Sequence, residues 1–471
     1  MKMPGVLFLQ SDWLERLGTL YLSAFLKTKN IPSNIIITRS PKKLTEEIER
    51  LEPDLLAVSI ASAGHQAMLG LLREAKPQIK IPIVAGGPHP TFFPEALADP
   101  ALDFIIRGEA EESLALLISA LHNRGDLDQV PALGYKKDGG LKFNAPSRLL
   151  EDIDQLPFPD RALYFNYGYF RRLRMQRVLT CRGCPFNCAY CFNAALKDFY
   201  KGCGKYVRQR SPENVIAELK SILAISDTFN FADDSFGLNR GFADEFLARY
   251  QTEIKRPFIV NLRPEQVDAG LAGKLGDAGC WCAQVGIESG NDRLREQVLG
   301  RKVSKEEIRA AVRLLKERGI KVLSYNMLGL PGETLENGFE TVRLNSEMKI
   351  DFPRFSIFQP YPGTRMGEQA VENGLADKEE LLKNLSGSYF HKSVLKMPGI
   401  RELENLQKLF APAVKFPGLE PLLKKLAKLP PNPVFELIFL SSIAAQYRKA
   451  TNRSFTETME YGFRNLSLYF Q

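Results

Sequence analysis

Alternation is the feature that most limits how this chain can fold. Short β-rich runs are followed repeatedly by stretches of helical periodicity. In the first third the runs are Gly5–Gln10, Ile35–Thr38, Leu55–Ile60, Ile81–Ala85 and Asp103–Arg107. Between them lie the helical patterns Arg16–Lys27, Lys43–Leu51, Ala67–Ala75 and Glu112–His122. Strands joined by helical crossovers of this length pair in parallel, so the pattern predicts βαβ units and a doubly wound, Rossmann-like sheet. Ligands on such sheets sit at the carboxyl ends of the strands. The loops expected there are small and permissive. Ser59 and Ser62 belong to SIASAGH, Gly86, Gly87, His89 and Thr91 to GGPHPT, and Gly108 and Glu109 to RGEAEES. Neither G-x-G-x-x-G nor a Walker G-x-x-x-x-G-K-S/T pattern occurs in this part, which argues against a nucleotide. On these residues alone, a flavodoxin-like sheet without a ligand is an open alternative.

The alternation resumes after a connector. Leu156-Pro157-Phe158-Pro159-Asp160 fits neither a helix interior nor a central strand, so residues 144–172 read as a linker. The runs Gln176–Thr180, Thr228–Ala232, Phe258–Asn261, Trp281–Val285, Lys321–Met327 and Arg354–Phe358 then predict six strands. Ser211-Pro212-Glu213 is a helix start, and Ser304 with Glu307 forms a capping box before the helix that Gly319 ends. Six strand–helix units make a partial barrel, open on one side, with its chemistry at the carboxyl ends of the strands. Beyond Pro360 the pattern is helical: Lys378–Leu385, Arg401–Phe410, Leu419–Leu429 and Val434–Ala450, broken by Pro412, Pro417 and the Pro430–Pro433 cluster. The expected division is 1–143 for the first domain, 144–172 for the linker, 173–362 for the barrel and 363–471 for a helical C-terminal domain.

The chemistry concentrates in Val178–Asn193, VLTCRGCPFNCAYCFN. Cys184, Cys188 and Cys191 have the spacing C-x3-C-x2-C, and Cys181 lies three residues ahead. Thiolates this close on one loop suit an iron–sulfur cluster. The alternative is zinc held by two C-x2-C knuckles, Cys181–Cys184 and Cys188–Cys191. Structural zinc sites separate their knuckles by about 15–20 residues, and here only Pro185, Phe186 and Asn187 intervene. Cys203 reads as a loop thiol, and Cys280 and Cys282 as apolar fillers on one strand face. The later strand ends carry FADDSF with Asp233 and Asp234, NLR with Arg263, GIESG with Glu288 and Ser289, and GLPGET with Gly329, Pro331 and Gly332. Each carboxylate alone also reads as a helix N-cap or a solvated loop charge.

As an ordered series behind C-x3-C-x2-C, these motifs resemble those of the radical SAM enzymes. GGPHPT, RGEAEES and the ERLGTLYLSAFLK helix resemble the cobalamin-binding domain that precedes many radical SAM modules. Over its whole length the chain is therefore similar to the cobalamin (B12)-binding-domain radical SAM family. That resemblance implies a [4Fe-4S] cluster on Cys184, Cys188 and Cys191, with its fourth iron open to S-adenosylmethionine and Cys181 a mere neighbour. It implies S-adenosylmethionine contacts from Tyr190, Asp233, Asp234, Arg263, Glu288, Ser289, Gly329, Pro331 and Gly332. It also implies cobalamin contacts from Ser59, Ser62, Gly86, Gly87, His89, Thr91, Gly108 and Glu109. The D-x-H-x-x-G motif of other cobalamin carriers is absent, so cobalt has no histidine ligand from it.

The activity so implied is methyl transfer from methylcobalamin to an unactivated carbon, after hydrogen abstraction by the 5′-deoxyadenosyl radical. No catalytic residue is needed beyond the cofactors. A radical cyclisation or oxidation without methyl transfer is the alternative within the family, and a non-enzymatic cobalamin- or zinc-binding module the alternative outside it. The expected partners are a small-molecule, lipid, tetrapyrrole or peptide substrate and an electron donor such as flavodoxin or ferredoxin; membrane contact is not indicated, although Phe435–Phe439 could rest on a membrane or line a lipid pocket. The net charge of +8 is modest for 471 residues and spread along the chain, which does not argue for nucleic acid. The absence of a signal-peptide pattern and the reduced cysteines of a cluster motif make the cytoplasm the expected compartment.

Overall fold

The computed structural model of the chain describes residues 5–379, 381, 385, 390, 392–450 and 455–465. It divides into two compact units: Met1–Arg172 with Ala195–Tyr206, and Leu173–Ala194 with Val207–Gln471.

The first unit is built on a seven-stranded sheet in the order β2-β1-β3-β4-β5-β6-β7. Its strands are β1 (Val6–Gln10), β2 (Ser33–Ile37), β3 (Leu55–Ser59), β4 (Ile83–Gly86), β5 (Phe104–Ile106), β6 (Leu133–Lys137) and β7 (Gly140–Phe143). The first five pair in parallel in the doubly wound order 2-1-3-4-5. Val6 to Gln10 are all buried, as a strand covered on both faces requires. Leu7, Leu9, Leu56, Val58, Ile83 and Ala85 form the centre of one core with the flanking helices.

The antiparallel hairpin β6–β7 escapes the sequence reading, which carries the βα pattern through to residue 143. Its signal is local: Asp138 and Gly139 sit between the two short strands, with φ of 50° and 78°. That is the backbone of a tight hairpin turn.

The second unit holds six parallel strands in the order β15-β14-β13-β12-β11-β8. They are β8 (Met175–Val178), β11 (Thr228–Phe231), β12 (Phe258–Leu262), β13 (Cys280–Glu288), β14 (Lys321–Leu328) and β15 (Phe352–Ile357). The sheet is open, with β8 and β15 at its edges, as the six strand–helix units predict. A two-residue ladder, β9 (Cys181–Arg182) against β10 (Arg208–Gln209), brackets the cysteine loop. Ser211 caps the helix Pro212–Ser221, and Ser304 and Glu307 exchange both bonds of a capping box.

The C-terminal helices cluster with this unit. Phe355 of β15 packs its ring at a tilt against Phe410 of the helix Ile400–Lys415 and Phe439 of the helix Pro433–Ala450. Two expectations need correction here. Pro412 does not break the helix Ile400–Lys415, which runs through it. Phe410, Ala413 and Val414 on either side are buried, and that packing outweighs the missing N–H. Phe435 and Phe439 are likewise buried rather than available to a membrane. The helix expected over Lys378–Leu385 lies partly outside the described residues.

Candidate functional site

Two groups of loops at strand carboxyl ends collect the residues singled out above. In the second unit, the cysteine loop leaves β8 and is tied down by Asp233, which follows β11. One oxygen of its buried carboxylate accepts from the backbone N–H of Thr180 at 2.7 Å and of Cys181 at 3.1 Å. The other accepts from the Thr180 hydroxyl at 2.5 Å. Burial pushes the Asp233 carboxyl up to about 6 against the pull of these donors. Both oxygens are thus occupied by the loop, so Asp233 is an anchor here, while Asp234 is exposed and accepts from Asn193.

The rest of the loop is clamped by its backbone. Ala189 donates to the Leu299 carbonyl at 3.0 Å, and Met366 donates to the Ala189 carbonyl at 2.9 Å. Cys184 and Cys188 are buried and Cys191 is half-buried. Burial is the first cause that pushes the Cys184 thiol up to about 11 and also raises Cys191, and the neighbouring thiols add to both shifts. Cys181 points toward the carbonyls of Arg182 and Gly183, and burial followed by Asp233 and Asp234 drives it up to about 12. It is held as a neutral thiol.

A chain of charges runs from the loop across the strand ends. Arg263, after β12, lies 3.7 Å above the centre of the Phe186 ring and donates to the Cys188 sulfur at 3.2 Å. Its Nε donates to Glu265 at 2.7 Å, and the other Glu265 oxygen lies 3.5 Å from Arg301. Arg301 donates to the Gly286 carbonyl at 2.8 Å and to Glu288 at 3.1 Å, and the Tyr190 hydroxyl donates to the same Glu288 oxygen at 3.1 Å. Glu288 ends β13 with φ 66°, beyond a register shift in the β13–β14 pairing. A Cβ on Gly286 would stand 2.7 Å from the Glu288 carboxylate and 3.0 Å from the Arg301 guanidinium, so a side chain there would push this pair from its present position.

Glu265 and Arg301 are missed by the sequence reading. They lie outside every motif: Glu265 pairs with the nearby Arg263, but the link from Glu265 through Arg301 to Glu288 joins residues far apart in the chain. Ser289 is fully buried, its hydroxyl accepting from the Asn291 N–H at 3.2 Å. The GLPGET turn is braced from within. Glu333, buried, accepts from the Leu330 N–H at 3.0 Å and from Gly329, and burial pushes its carboxyl up to about 8. Pro331 is half-buried and Gly332 exposed on this turn, where the Gly332 carbonyl accepts from Arg293 at 3.2 Å.

In the first unit, the candidate cobalamin residues gather at the ends of β3, β4 and β5. Ser59 pairs in register with Gly86. The His89 N–H donates to the Ile60 carbonyl at 2.9 Å. The Thr91 hydroxyl donates to the Gly87 carbonyl at 2.7 Å and accepts from the Gly108 N–H at 2.9 Å, which laces the three loops together. His89 is buried in a stack, 4.2 Å from the His65 ring and 4.9 Å from Phe93. Burial and the His65 ring lower it to about 3, so it is neutral.

Tyr200 is a third residue the sequence did not disclose. Its hydroxyl accepts from the Glu109 N–H at 2.5 Å, and a methyl group on Gly108 (φ 77°) would overlap that hydroxyl. Phe199 beside it takes the Arg107 guanidinium 4.6 Å over its ring.

Both groups of residues fit the cofactors that the motifs suggest. Three free thiols sit on one clamped loop, within electrostatic reach of one another and beside a fixed guanidinium. Among the described residues no three His, Cys, Asp or Glu side chains are grouped to hold one metal ion. A cluster differs in this respect, because it bridges thiolates across its own body. In the first unit, Nδ1 of His89 and Oγ of Ser62 are buried without hydrogen-bond partners. Such atoms are costly unless a ligand or water meets them.

Comparison with known proteins agrees. The radical SAM superfamily model matches residues 178–344, and the B12 binding domain model matches residues 12–118. An uncharacterized methyltransferase of Pyrococcus horikoshii is 29% identical over 370 residues, 76% of this chain and 79% of that protein. An anaerobic magnesium-protoporphyrin IX monomethyl ester cyclase of Rubrivivax gelatinosus is 26% identical over 386 residues, 77% of this chain but 66% of the cyclase. Among solved structures, the cobalamin-dependent S-adenosylmethionine radical enzyme OxsB with aqua-cobalamin bound has a TM-score of 0.70 at 16% identity, over 99% of this chain and 80% of that one. With a B12 binding domain ahead of a radical SAM domain, and a fold shared along nearly its whole length, the chain belongs to the cobalamin-dependent radical SAM enzymes, whose cofactors are a [4Fe-4S] cluster, S-adenosylmethionine and cobalamin.

Proposed function

We propose that this enzyme is a methyltransferase acting on an unactivated carbon. The observation that carries this reading is the likeness to a methyltransferase spread over 79% of that relative's length, with both domains in place. When bound, the cluster and S-adenosylmethionine supply the radical that removes a hydrogen atom, and cobalamin supplies the methyl group.

The protein's residues position and shield that chemistry. Cys184, Cys188 and Cys191 hold the cluster, and Asp233 fixes the start of their loop through Thr180 and Cys181. Arg263 sets a positive charge against the Cys188 sulfur. Tyr190 and Arg301 together orient Glu288, and Glu333 shapes the Gly329–Gly332 turn, so these residues with Asp234 meet S-adenosylmethionine. Ser59, Ser62, Gly86, Gly87, His89, Thr91, Gly108 and Glu109 receive cobalamin, where His89 and Ser62 offer unspent hydrogen-bonding atoms. A flavodoxin or ferredoxin delivers the electron, and the compartment is the cytoplasm. The substrate is a small molecule, a lipid, a tetrapyrrole or a peptide.

Radical cyclisation or oxidation without methyl transfer is the second reading, favoured by the likeness to the cyclase. Methyl-labelled S-adenosylmethionine, given to the anaerobically reconstituted enzyme with cobalamin and a reductant, separates the two. Label on cobalamin together with 5′-deoxyadenosine is expected. Release of 5′-deoxyadenosine with no label on cobalamin would sink methyl transfer in favour of cyclisation, and zinc in place of iron would sink the enzyme altogether.

A further inference from the structure

Large apolar side chains seldom gather on an exposed surface without a partner. Six of the fourteen exposed large hydrophobic residues among those described fall within residues 416–437, so the exposure is local. The helix Glu420–Ala427 shows how it arises. Leu423 and Ala427 on one face are buried against the neighbouring helices. Leu422 and Lys425, three residues apart, turn away from that face, and Leu419 and Leu429 flank the two ends of the helix. Leu422 is 51% exposed and Leu429 46%. The next helix, Pro433–Ala450, turns its buried Phe435 and Phe439 inward and leaves Leu437 68% exposed in its first turns.

The charges around these leucines have one sign. Glu420 is taken by Arg343 and Lys424, and Glu436 by Lys408. Lys415, Lys425 and Lys428 are exposed and have no salt-bridge partner among the described residues. A stripe of leucine flanked by uncompensated lysine is the composition of a helix lying in a membrane interface, where apolar side chains enter the acyl boundary and lysines meet anionic headgroups. No helix of the described residues is long and apolar enough to cross a membrane, so contact would be interfacial.

We propose that this face, Leu419, Leu422 and Leu429 with Lys415, Lys425 and Lys428, docks the protein on an anionic lipid surface. The charge complementarity selects a membrane over a second copy of the chain, whose own lysines would repel these. The proposal is independent of the reaction catalysed.

The full-length protein is sedimented with vesicles of phosphatidylcholine alone or mixed with phosphatidylglycerol. Binding to the mixed vesicles is expected to exceed binding to the neutral ones by about tenfold, and to fall at about 1 M salt, where charges are screened beyond about 3 Å. Two variants, K425E/K428E and L422S/L437S, should each lose about tenfold of that binding while keeping the wild-type melting temperature, since all four side chains are exposed. Equal binding to both vesicles, no binding, or full binding by both variants would overturn the proposal. So would a dimer in sedimentation equilibrium that L422S/L437S dissolves.

Discussion

The loops at the strand ends of the two units solve opposite problems. Around the cysteine loop the side chains are linked by charge: Arg263, Glu265, Arg301, Glu288 and Tyr190 form a chain of ion pairs and hydrogen bonds, although Arg301 and Glu265 keep buried atoms without a hydrogen-bond partner. In the first unit Arg107 and Glu109 bring charge to the equivalent loops, but no chain of ion pairs runs across the strand ends among the described residues. His89 is neutral, and His89 and Ser62 each keep a buried atom without a partner. The difference follows the ligands. A cluster with S-adenosylmethionine is small, charged and reactive, and calls for a rigid frame of fixed charge. Cobalamin is large and its contacts are many, so backbone and neutral side chains at three strand ends can receive it. Both frames keep buried polar atoms without partners, so the contrast lies in fixed charge and not in completeness.

The most severe way to break this contrast lies in the cysteines. Cys184→Ala should abolish the charge-transfer absorption near ~400 nm and the reductive cleavage of S-adenosylmethionine. Cys181→Ala should retain both, because Cys181 faces backbone carbonyls. Loss of the cluster in Cys181→Ala would make that thiol a ligand.

Glu333 tests whether the charged frame is also strained. Its carboxyl is raised from 4.5 to about 8 by burial, so between those values the folded protein keeps a proton that the unfolded chain has released. Stability contributed by the protonated form is present below 4.5 and is lost as pH rises through 8, on the order of 4 kcal/mol in all. Glu333→Gln keeps an acceptor for Leu330 and removes the titration. The wild-type melting temperature should therefore drop between about pH 4.5 and 8 and the variant's should not; parallel profiles would show that Glu333 is solvated.

His89 gives the opposite sign. Its ring is lowered from 6.5 to about 3, so on acidification the unfolded chain takes the proton first and stability falls as pH drops below 6.5. At pH 5 this amounts to about 2 kcal/mol. His89→Phe should flatten the acid limb of the melting profile and weaken cobalamin binding in an absorbance titration. Unchanged cobalamin affinity would remove His89 from the site.

The smallest effect is expected at Tyr200. Tyr200→Phe deletes one hydrogen bond to the Glu109 N–H and should cost about 1 kcal/mol in denaturant unfolding. A loss several times larger would mean that Tyr200 holds more than one loop.

Much of the fold was legible in the sequence because its signals are local. All five parallel strands of the first unit and all six of the second overlap the runs expected from β-rich composition. Ser211 and Ser304 cap their helices as their neighbours predict. The hairpin β6–β7 was missed because two short strands and an Asp-Gly turn are easily absorbed into a βα pattern. Pro412 misled because its local penalty is overcome by the burial of Phe410, Ala413 and Val414.

The candidate site divides the same way. The cysteine spacing and the glycine-rich loops are statements about residues a few positions apart, and the sequence by itself determined them. It also determined the order of the two domains. Only the tertiary structure decided that Asp233 spends its carboxylate on Thr180 and Cys181, and that Arg301, 36 positions from Glu265, closes the charge relay to Glu288. Tyr200 beneath Gly108 was decided there as well. The physical reason is range. Periodicity, caps and motif spacing are set by neighbours in the chain. A buried charge is tolerable only beside its partner, and that partner is known once the strands have brought their ends together.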